Sequence, residues 1–158
     1  MKTLRLTEKD FKETDYYWKE YCGKEDVSDF DGNIEIEGNL SYVRFDSMKV
    51  SGHIWAEAGT SIKAGDGIEA GTSIKAGLSI SCKLVLKFSY RLFAGVAVWR
   101  NKYNEEKKIT CGRLEGGEVC YGDVEELGLP EEKDQDVENA IKLLEEKGLL
   151  KDGKILSK

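Results

Sequence analysis

Four consecutive hexads decide the fold of this chain: Ile-Trp-Ala-Glu-Ala-Gly (54–59), Thr-Ser-Ile-Lys-Ala-Gly (60–65), Asp-Gly-Ile-Glu-Ala-Gly (66–71) and Thr-Ser-Ile-Lys-Ala-Gly (72–77). Between residues 48 and 101 the third hexad position stays apolar: Val50, Ala56, Ile62, Ile68, Ile74, Ile80, Leu86, Leu92 and Val98. Short repeats are typical of solenoids, in which each unit buries its apolar face against its neighbours. The repeat therefore predicts stacked β-coils around one apolar interior.

Three hexads make an 18-residue coil, which predicts a triangular cross-section with one strand on each face. Read this way, the apolar residues form three columns: Val50, Ile68 and Leu86; Ala56, Ile74 and Leu92; Ile62, Ile80 and Val98. Alternation within a strand points Thr60, Ile62 and Ala64 inward and Ser61 and Lys63 outward. The same period places Glu57 beneath Lys75 on the surface.

The flanks of the repeat predict closing elements. Residues 33–47 form an imperfect first coil whose register slips, and residues 108–125 form either the last coil or a capping hairpin. An N-terminal helix is expected after Thr7, with Phe11, Trp18 and Cys22 on its buried face. Near the C-terminus, Pro130 precedes a helical pattern, and an Asp-Gly hairpin follows it.

The predicted fold class is therefore mainly β with flanking α: a short triangular β-helix capped by an N-terminal helix and by a C-terminal helix plus hairpin. All 158 residues form one domain. Within it, 1–31 is the helical cap, 32–125 holds the coils and closing strands, and 126–158 is the C-terminal helix and hairpin.

Composition limits the class of protein and its partners. A hydrophobic fraction of 40% and a charged fraction of 34% are those of a soluble globular protein. No apolar run reaches the length of a membrane helix, and the N-terminus lacks a signal peptide, so a cytoplasmic location is expected. The net charge of −6 divides into −5 for residues 1–47, +4 for 48–101 and −5 for 102–158. The basic repeat between acidic flanks governs which partners approach.

No catalytic or metal-binding set stands out in the sequence. The single histidine, His53, fits a general base or, more simply, a surface position. Four cysteines without a Cys-x-x-Cys pair do not suit a zinc site, and they are expected to be free thiols. We therefore predict no cofactor, no metal and no enzymatic activity.

Two clusters are candidates for partner binding. The first is basic and aromatic, and its alternating cations are expected to share one outer face: Lys83, Lys87, Arg91, Trp99 and Arg100. The second lies on the predicted acidic, aromatic N-terminal helix: Asp10, Glu13, Asp15, Tyr16 and Tyr17. Aromatics beside charged groups suit binding to single-stranded nucleic acid or to a protein, but each cluster also fits ordinary surface and cap residues.

The segment 54–80 resembles three groups of proteins. Its hexads are similar to those of left-handed β-helix acyltransferases, a likeness that implies an enzyme with His53 as base. Its short, glycine-punctuated coils resemble bactofilins, which implies self-assembly into filaments. The Ile-Lys-Ala-Gly and Ile-Glu-Ala-Gly repeats in a small acidic chain also resemble accessory proteins of phages and mobile elements, including anti-CRISPR proteins.

These resemblances leave three functional hypotheses. The first is a non-enzymatic inhibitor that binds a host nuclease or effector complex of a nucleic-acid-processing defence system. The alternatives are a bactofilin-like, self-associating structural β-helix and a hexapeptide-repeat acyltransferase. Direct binding of nucleic acid is a less favoured mode of action, and no membrane partner is expected.

Overall fold

The computed structural model describes residues 2–57, 59–96, 104–129, 150–151 and 154–155. Within these residues the chain is mainly β and contains no α-helix. Nearly all strands pair in parallel, and successive strands along the chain belong to different faces of a solenoid. The interior is one apolar cluster that runs the length of the stack.

Five coils follow one another along the solenoid axis. The first contains a bridge at Phe30 and the strands β4 and β5. The strand bounds in chain order are β1 (Thr3–Leu6), β2 (Phe11–Glu13), β3 (Lys19–Tyr21), β4 (Asn33–Ile36), β5 (Ser41–Phe45), β6 (Met48–Val50), β7 (Ile54–Ala56), β8 (Thr60–Ala64), β9 (Ile68–Ala70), β10 (Ile74–Ala76), β11 (Ile80–Cys82), β12 (Val85–Ala94), β13 (Lys108–Cys111), β14 (Arg113–Tyr121), β15 (Asp123–Glu126), β16 (Leu150–Lys151) and β17 (Lys154–Ile155).

Three faces surround the core. The first face consists of β6, β9 and the first halves of β12 and β14. The second face consists of β1, β4, β7, β10 and the second halves of β12 and β14. The third face consists of β3, β5, β8, β11, β13 and β15. Because β12 and β14 continue from the first face onto the second, those two faces form one curved sheet.

The predicted register is confirmed where the coil is 18 residues long. Ile68 pairs with Leu86, Ile74 with Leu92, and Ile62 with Ile80. The same residues are almost completely buried, as the inward assignment required.

Register predictions one coil earlier are wrong by two residues. Met48, not Val50, pairs with Ile68, and Ile54, not Ala56, pairs with Ile74. Ile54 and Ile62 are eight positions apart, whereas their partners Ile74 and Ile80 are six positions apart. The two extra residues lie between Ala56 and Ile62, where Gly59 adopts a φ of 88°. As a result Lys75 lies beside Trp55 instead of Glu57.

The fourth coil is also longer than predicted. Ile80 pairs with Ile109, since β12 ends at Ala94 and β13 begins only at Lys108. Val98, the expected partner, lies outside the described residues. Segment 108–125 forms a coil and not a hairpin, since β13 pairs with β15 in parallel.

The predicted N-terminal helix is wrong. The region contains β1, a single 3₁₀ turn at Glu8–Asp10 and an antiparallel hairpin of β2 and β3. The backbone of the first coil would otherwise expose an unpaired edge, which β1 covers on the second face and β3 on the third. Phe11 and Tyr21 then close the end of the core by packing on Phe45. Pairing of the sheet edge therefore prevails over the helical pattern.

The predicted fold class, mainly β with flanking helices, is therefore wrong. The described residues contain no α-helix, and strands extend to the N-terminal edge of the solenoid. The C-terminal helix was predicted in residues that lie outside the described ones. The small hairpin predicted after it is confirmed, since β16 and β17 pair antiparallel.

Candidate functional site

The first face carries a ladder of alternating charge. Lys49, Glu69, Lys87 and Glu115 follow one another on neighbouring strands. The Nζ atom of Lys87 lies 3.9 Å from a carboxylate oxygen of Glu69, and both side chains are exposed. The cations of this face are therefore balanced by carboxylates on adjacent strands.

The structure does not bring the predicted basic cluster together. Lys83 lies in the turn before β12, whereas Lys87 lies on the first face. Arg91 lies where β12 passes from the first to the second face, next to Glu118. Trp99 and Arg100 lie outside the described residues. These three cations lie on three different sides of the solenoid, and two of them lie beside carboxylates. They therefore do not form a basic face.

The predicted acidic cluster lies on the β2–β3 hairpin. The carboxylate of Asp10 accepts a hydrogen bond from the backbone N–H of Thr7 at 2.8 Å and holds the 3₁₀ turn. Glu13 is paired across the hairpin with Lys19. Asp15, Tyr16 and Tyr17 lie in the connecting loop, and Tyr16 and Tyr17 are 68% and 72% exposed.

A local hydrogen-bond network shapes this loop. The hydroxyl of Thr14 donates to the carbonyl of Trp18 at 2.9 Å, and the N–H of Tyr16 donates to the same hydroxyl at 3.2 Å. Such side-chain bonds to nearby backbone stabilise tight turns. The loop is therefore shaped by its own residues before any partner arrives.

Aromatic contacts hold the loop against the third face. Tyr16 stacks on Trp18 with a centroid separation of 4.8 Å and an interplanar angle of 14°. Tyr17 meets Tyr42 of β5 edge-on at 5.2 Å. The Nζ atom of Lys63 lies 4.6 Å from the ring centroid of Trp18, which is cation–π geometry.

Small hydroxyl side chains continue this surface along the third face. The hydroxyl of Ser79 donates to that of Ser61 at 3.0 Å, and a shallow pocket of about 150 Å³ lies beside them. We call the combined surface the tyrosine–serine patch; its members are Tyr16, Tyr17, Trp18, Tyr42, Ser61, Lys63, Ser79 and Ser81. Reasoning from the sequence found the two exposed tyrosines but placed Trp18 in the core. Alternation along β5 was the signal for Tyr42. The same alternation along β8 predicted an outward Ser61, but Ser61 is only 3% exposed.

A second concave surface lies on the second face. Trp55 is 44% exposed and lines a groove of about 650 Å³. We call it the Trp55 groove; it is lined by Arg5, Glu35, Ile36, Glu37, Trp55, Ala56, Glu57, Lys75, Phe93 and Val96. Trp55 has no distinctive signal in the sequence, because an aromatic residue at an outward strand position has no special spacing.

His53 lies next to this groove and has defined partners. Its Nε2 atom is 3.1 Å from Oε1 of Glu35, and its ring stacks on Trp55 at 3.9 Å. The backbone N–H of His53 donates to the side-chain oxygen of Asn33 at 3.0 Å. These contacts give the histidine a role in holding Glu35 and Trp55 in place.

The cysteines divide into an interior pair and a surface pair. Burial raises the pKa of the Cys82 thiol to about 12, with a smaller contribution from Cys111, and burial raises the pKa of Cys111 to about 11. Cys22 and Cys120 are exposed, and all four are free thiols. A thiol with a raised pKa is a poor nucleophile, so the interior pair is structural.

In the described part of the chain, no group of three or more histidine, cysteine, aspartate or glutamate side chains has metal-binding geometry. Nor do these residues include a helix with the length and apolar character needed to cross a membrane.

Comparison with known proteins found no relative of this chain. No family model matches the chain, and no curated protein or solved structure is significantly similar to it.

Proposed function

We propose that this chain is a non-enzymatic protein-binding module that recognises its partner through the tyrosine–serine patch. The observation that carries the proposal is the exposure of Tyr16 and Tyr17, 68% and 72%, on a loop held against a parallel sheet. Large apolar rings left in water have a favourable free energy of burial when a partner covers them.

The composition of the patch supports binding to protein. Tyrosine and tryptophan are enriched among residues that dominate interface energies, and tyrosine with serine is the characteristic pairing of antibody paratopes. Tyrosine offers a large contact area with few rotatable bonds, and serine adds adaptable hydrogen bonds. The patch combines Tyr16, Tyr17 and Tyr42 with Ser79 and Ser81, whereas Ser61 is only 3% exposed and is bonded to Ser79.

Preorganisation supports the same function. The loop is held by the bonds of Thr14 and by the contacts of Trp18 with Tyr16 and Lys63. Ordering a loop upon association costs free energy, so a loop ordered beforehand contributes more to affinity.

The identity of the partner stays a prediction from the sequence. The favoured hypothesis is a nuclease or effector complex of a host defence system, inhibited in the manner of anti-CRISPR proteins. Self-assembly and acyl transfer stay alternatives, and cytoplasmic localisation stays an expectation.

The test is affinity capture with the tagged 158-residue chain from a bacterial lysate, with and without nuclease treatment. We expect a stoichiometric protein partner for the unaltered chain and its loss in the double variant Tyr16→Ser, Tyr17→Ser. The matched control is Tyr90→Ser, since Tyr90 is 64% exposed on β12, away from the patch. Equal capture by the double variant would refute the proposed surface, and capture that disappears with nuclease would indicate nucleic acid instead.

A further inference from the structure

The Trp55 groove is separate from the tyrosine–serine patch. The two surfaces lie on the second and third faces and share no residue. Five successive strands contribute outward residues to the groove, in the order Arg5, Glu35, Trp55, Lys75 and Phe93. The groove therefore follows the solenoid axis, perpendicular to the strands.

The aromatic wall of the groove is held in a fixed orientation. The ring of His53 stacks on Trp55 at an interplanar angle of 21°, and Glu35 holds His53 from the neighbouring strand. Trp55 nevertheless keeps 44% of its surface exposed. A large indole held rigidly and left partly in water is suited to stacking against a flat apolar surface of a ligand.

Hydrogen-bonding groups of both kinds surround this ring. Two cations and three carboxylates line the groove, so their charges nearly cancel. Arg5 lies between Glu35 and Glu37, at 3.7 and 2.7 Å. A carboxylate oxygen of Glu57 accepts from the backbone N–H of Gly38 at 2.7 Å, and Nζ of Lys75 lies 5.9 Å from the centroid of Trp55.

This combination favours a neutral polyhydroxyl ligand. A strongly charged ligand would need an excess of the opposite charge, which a nearly balanced groove lacks. Hydroxyl groups, by contrast, both donate to carboxylates and accept from guanidinium and ammonium groups. A pyranose ring has an apolar C–H face that suits stacking on an indole, and its hydroxyls suit hydrogen bonding to a charged rim.

The direction of the groove disfavours an extended peptide. The strands β4, β7 and β10 are already paired with a neighbour on each side. A peptide lying along the axis would find no free backbone groups with which to pair as an added strand. Recognition along this groove must come from side chains.

The spacing of the aromatic residues fits a sugar polymer. Trp55 and Phe93 lie two strands apart, a separation of about 9.5 Å at the usual spacing of β-strands. A β-1,4-linked pyranose unit advances along its chain by about one strand spacing. Sugar rings two units apart therefore have about the same separation as Trp55 and Phe93. The groove volume of about 650 Å³ is in the range of small-molecule sites.

We infer that the Trp55 groove binds an oligosaccharide of β-1,4-linked pyranose units that lies along the solenoid axis. Trp55 and Phe93 supply the stacking surfaces, and Glu57, Lys75 and Arg5 supply hydrogen bonds to hydroxyls. This site is independent of the protein partner proposed for the third face.

Isothermal titration of the 158-residue chain with cellohexaose and with chitohexaose tests the inference. We expect saturable binding of at least one probe, weakened at least tenfold in Trp55→Ala and several-fold in Glu57→Gln. The matched control is Tyr90→Ala, which removes an exposed aromatic side chain from another part of β12 and should bind as the unaltered protein does.

Three outcomes would overturn the inference. They are no saturable binding of either probe at millimolar concentration, equal affinity of the unaltered and Trp55→Ala proteins, and loss of the captured protein partner in Trp55→Ala without glycan binding. The last would make the groove a protein interface. Circular dichroism of each variant separates loss of binding from loss of fold, and the Tyr16/Tyr17 double variant should retain glycan binding.

Discussion

The inward and outward columns of the solenoid differ in what they repeat. In β9, Ile68 and Ala70 are buried and pair with Leu86 and Phe88 of the next coil. Between them Glu69 points outward and pairs with Lys87. Inward columns repeat apolar side chains from coil to coil. Outward columns differ from face to face: the first face carries alternating charge, the second the Trp55 groove, and the third tyrosines with serines.

This difference separates what stabilises the fold from what is available for recognition. An inward residue has neighbours on every side, so each coil constrains the next to a similar volume. An outward residue meets mainly its two strand neighbours and water, so its identity can change at little cost to the stack. Recognition is therefore expected on the outer faces of a scaffold that tolerates their variation.

The largest effect should come from truncating an inward column. Ile68→Ala removes a side chain that is 0% exposed, and we expect the free energy of unfolding to fall by about 2–5 kcal/mol. The neighbouring Glu69→Ala should change it by less than about 0.5 kcal/mol, as is usual for surface substitutions. Urea denaturation followed by circular dichroism measures both. Equal effects of the two would contradict the inward and outward assignment.

A separate, pH-dependent effect should appear at alkaline pH through the interior thiols. Their folded-state pKa values of about 12 for Cys82 and about 11 for Cys111 exceed the ordinary value of 9.0. Below pH 9 both the folded and the unfolded states hold these protons, so the contribution to stability is fully present. Above pH 9 the unfolded chain loses them first, and stability falls until the folded thiols ionise.

The double variant Cys82→Ala, Cys111→Ala isolates this effect from tyrosine and lysine titration. Between pH 9 and about 11, the free energy of unfolding should fall more steeply with pH in the unaltered protein than in the double variant. The difference in slope corresponds to up to about two protons released on unfolding. A thiol reagent offers an independent readout, since it should label Cys22 and Cys120 in the native state and the interior pair only after unfolding. Prompt labelling of all four would show that the interior is open.

The smallest effect should come from the charge ladder of the first face. Lys87→Glu places a glutamate between Glu69 and Glu115, and like charges on adjacent strands repel. We expect a loss of about 0.2–1 kcal/mol at low ionic strength, reduced in 1 M salt by screening. Lys83→Glu, in the turn before β12, should have a smaller effect. A loss for Lys87→Glu that salt leaves unchanged would indicate a packing role.

The hexad repeat predicted the pairs Ile68–Leu86 and Ile74–Leu92 because a solenoid interior depends on local alternation and a constant coil length. It missed Met48–Ile68, since a corner with extra residues displaces the register while the apolar pattern continues. Corner length has no strong sequence signal here, since the corner with Gly59 and the corner with Gly77 each contain one glycine.

The N-terminal prediction failed for a different reason. Residues 7–22 have a cap residue and apolar spacing that suit a helix, yet Phe11 and Tyr21 face each other across a hairpin. The exposed edge of the first coil requires backbone partners, and that requirement is invisible until the coil itself is in place. Local propensity is a weak preference that tertiary pairing overrides.

The candidate surfaces show the same limit. Tyr16 and Tyr17 were recognisable as exposed aromatics, but the contact of Tyr17 with Tyr42 joins residues more than twenty positions apart. Trp55 became a candidate only when β1, β4 and β10 placed Arg5, Glu35 and Lys75 beside it.

The sequence by itself determined the repeating interior and the direction in which most repeat residues point, because alternation along a strand depends on neighbours in the chain. Only the tertiary structure decided the coil lengths, the strand cap at the N-terminus and the residues that meet on each outer face. Those features depend on which coil lies next to which, and stacking brings together residues that no short sequence spacing relates.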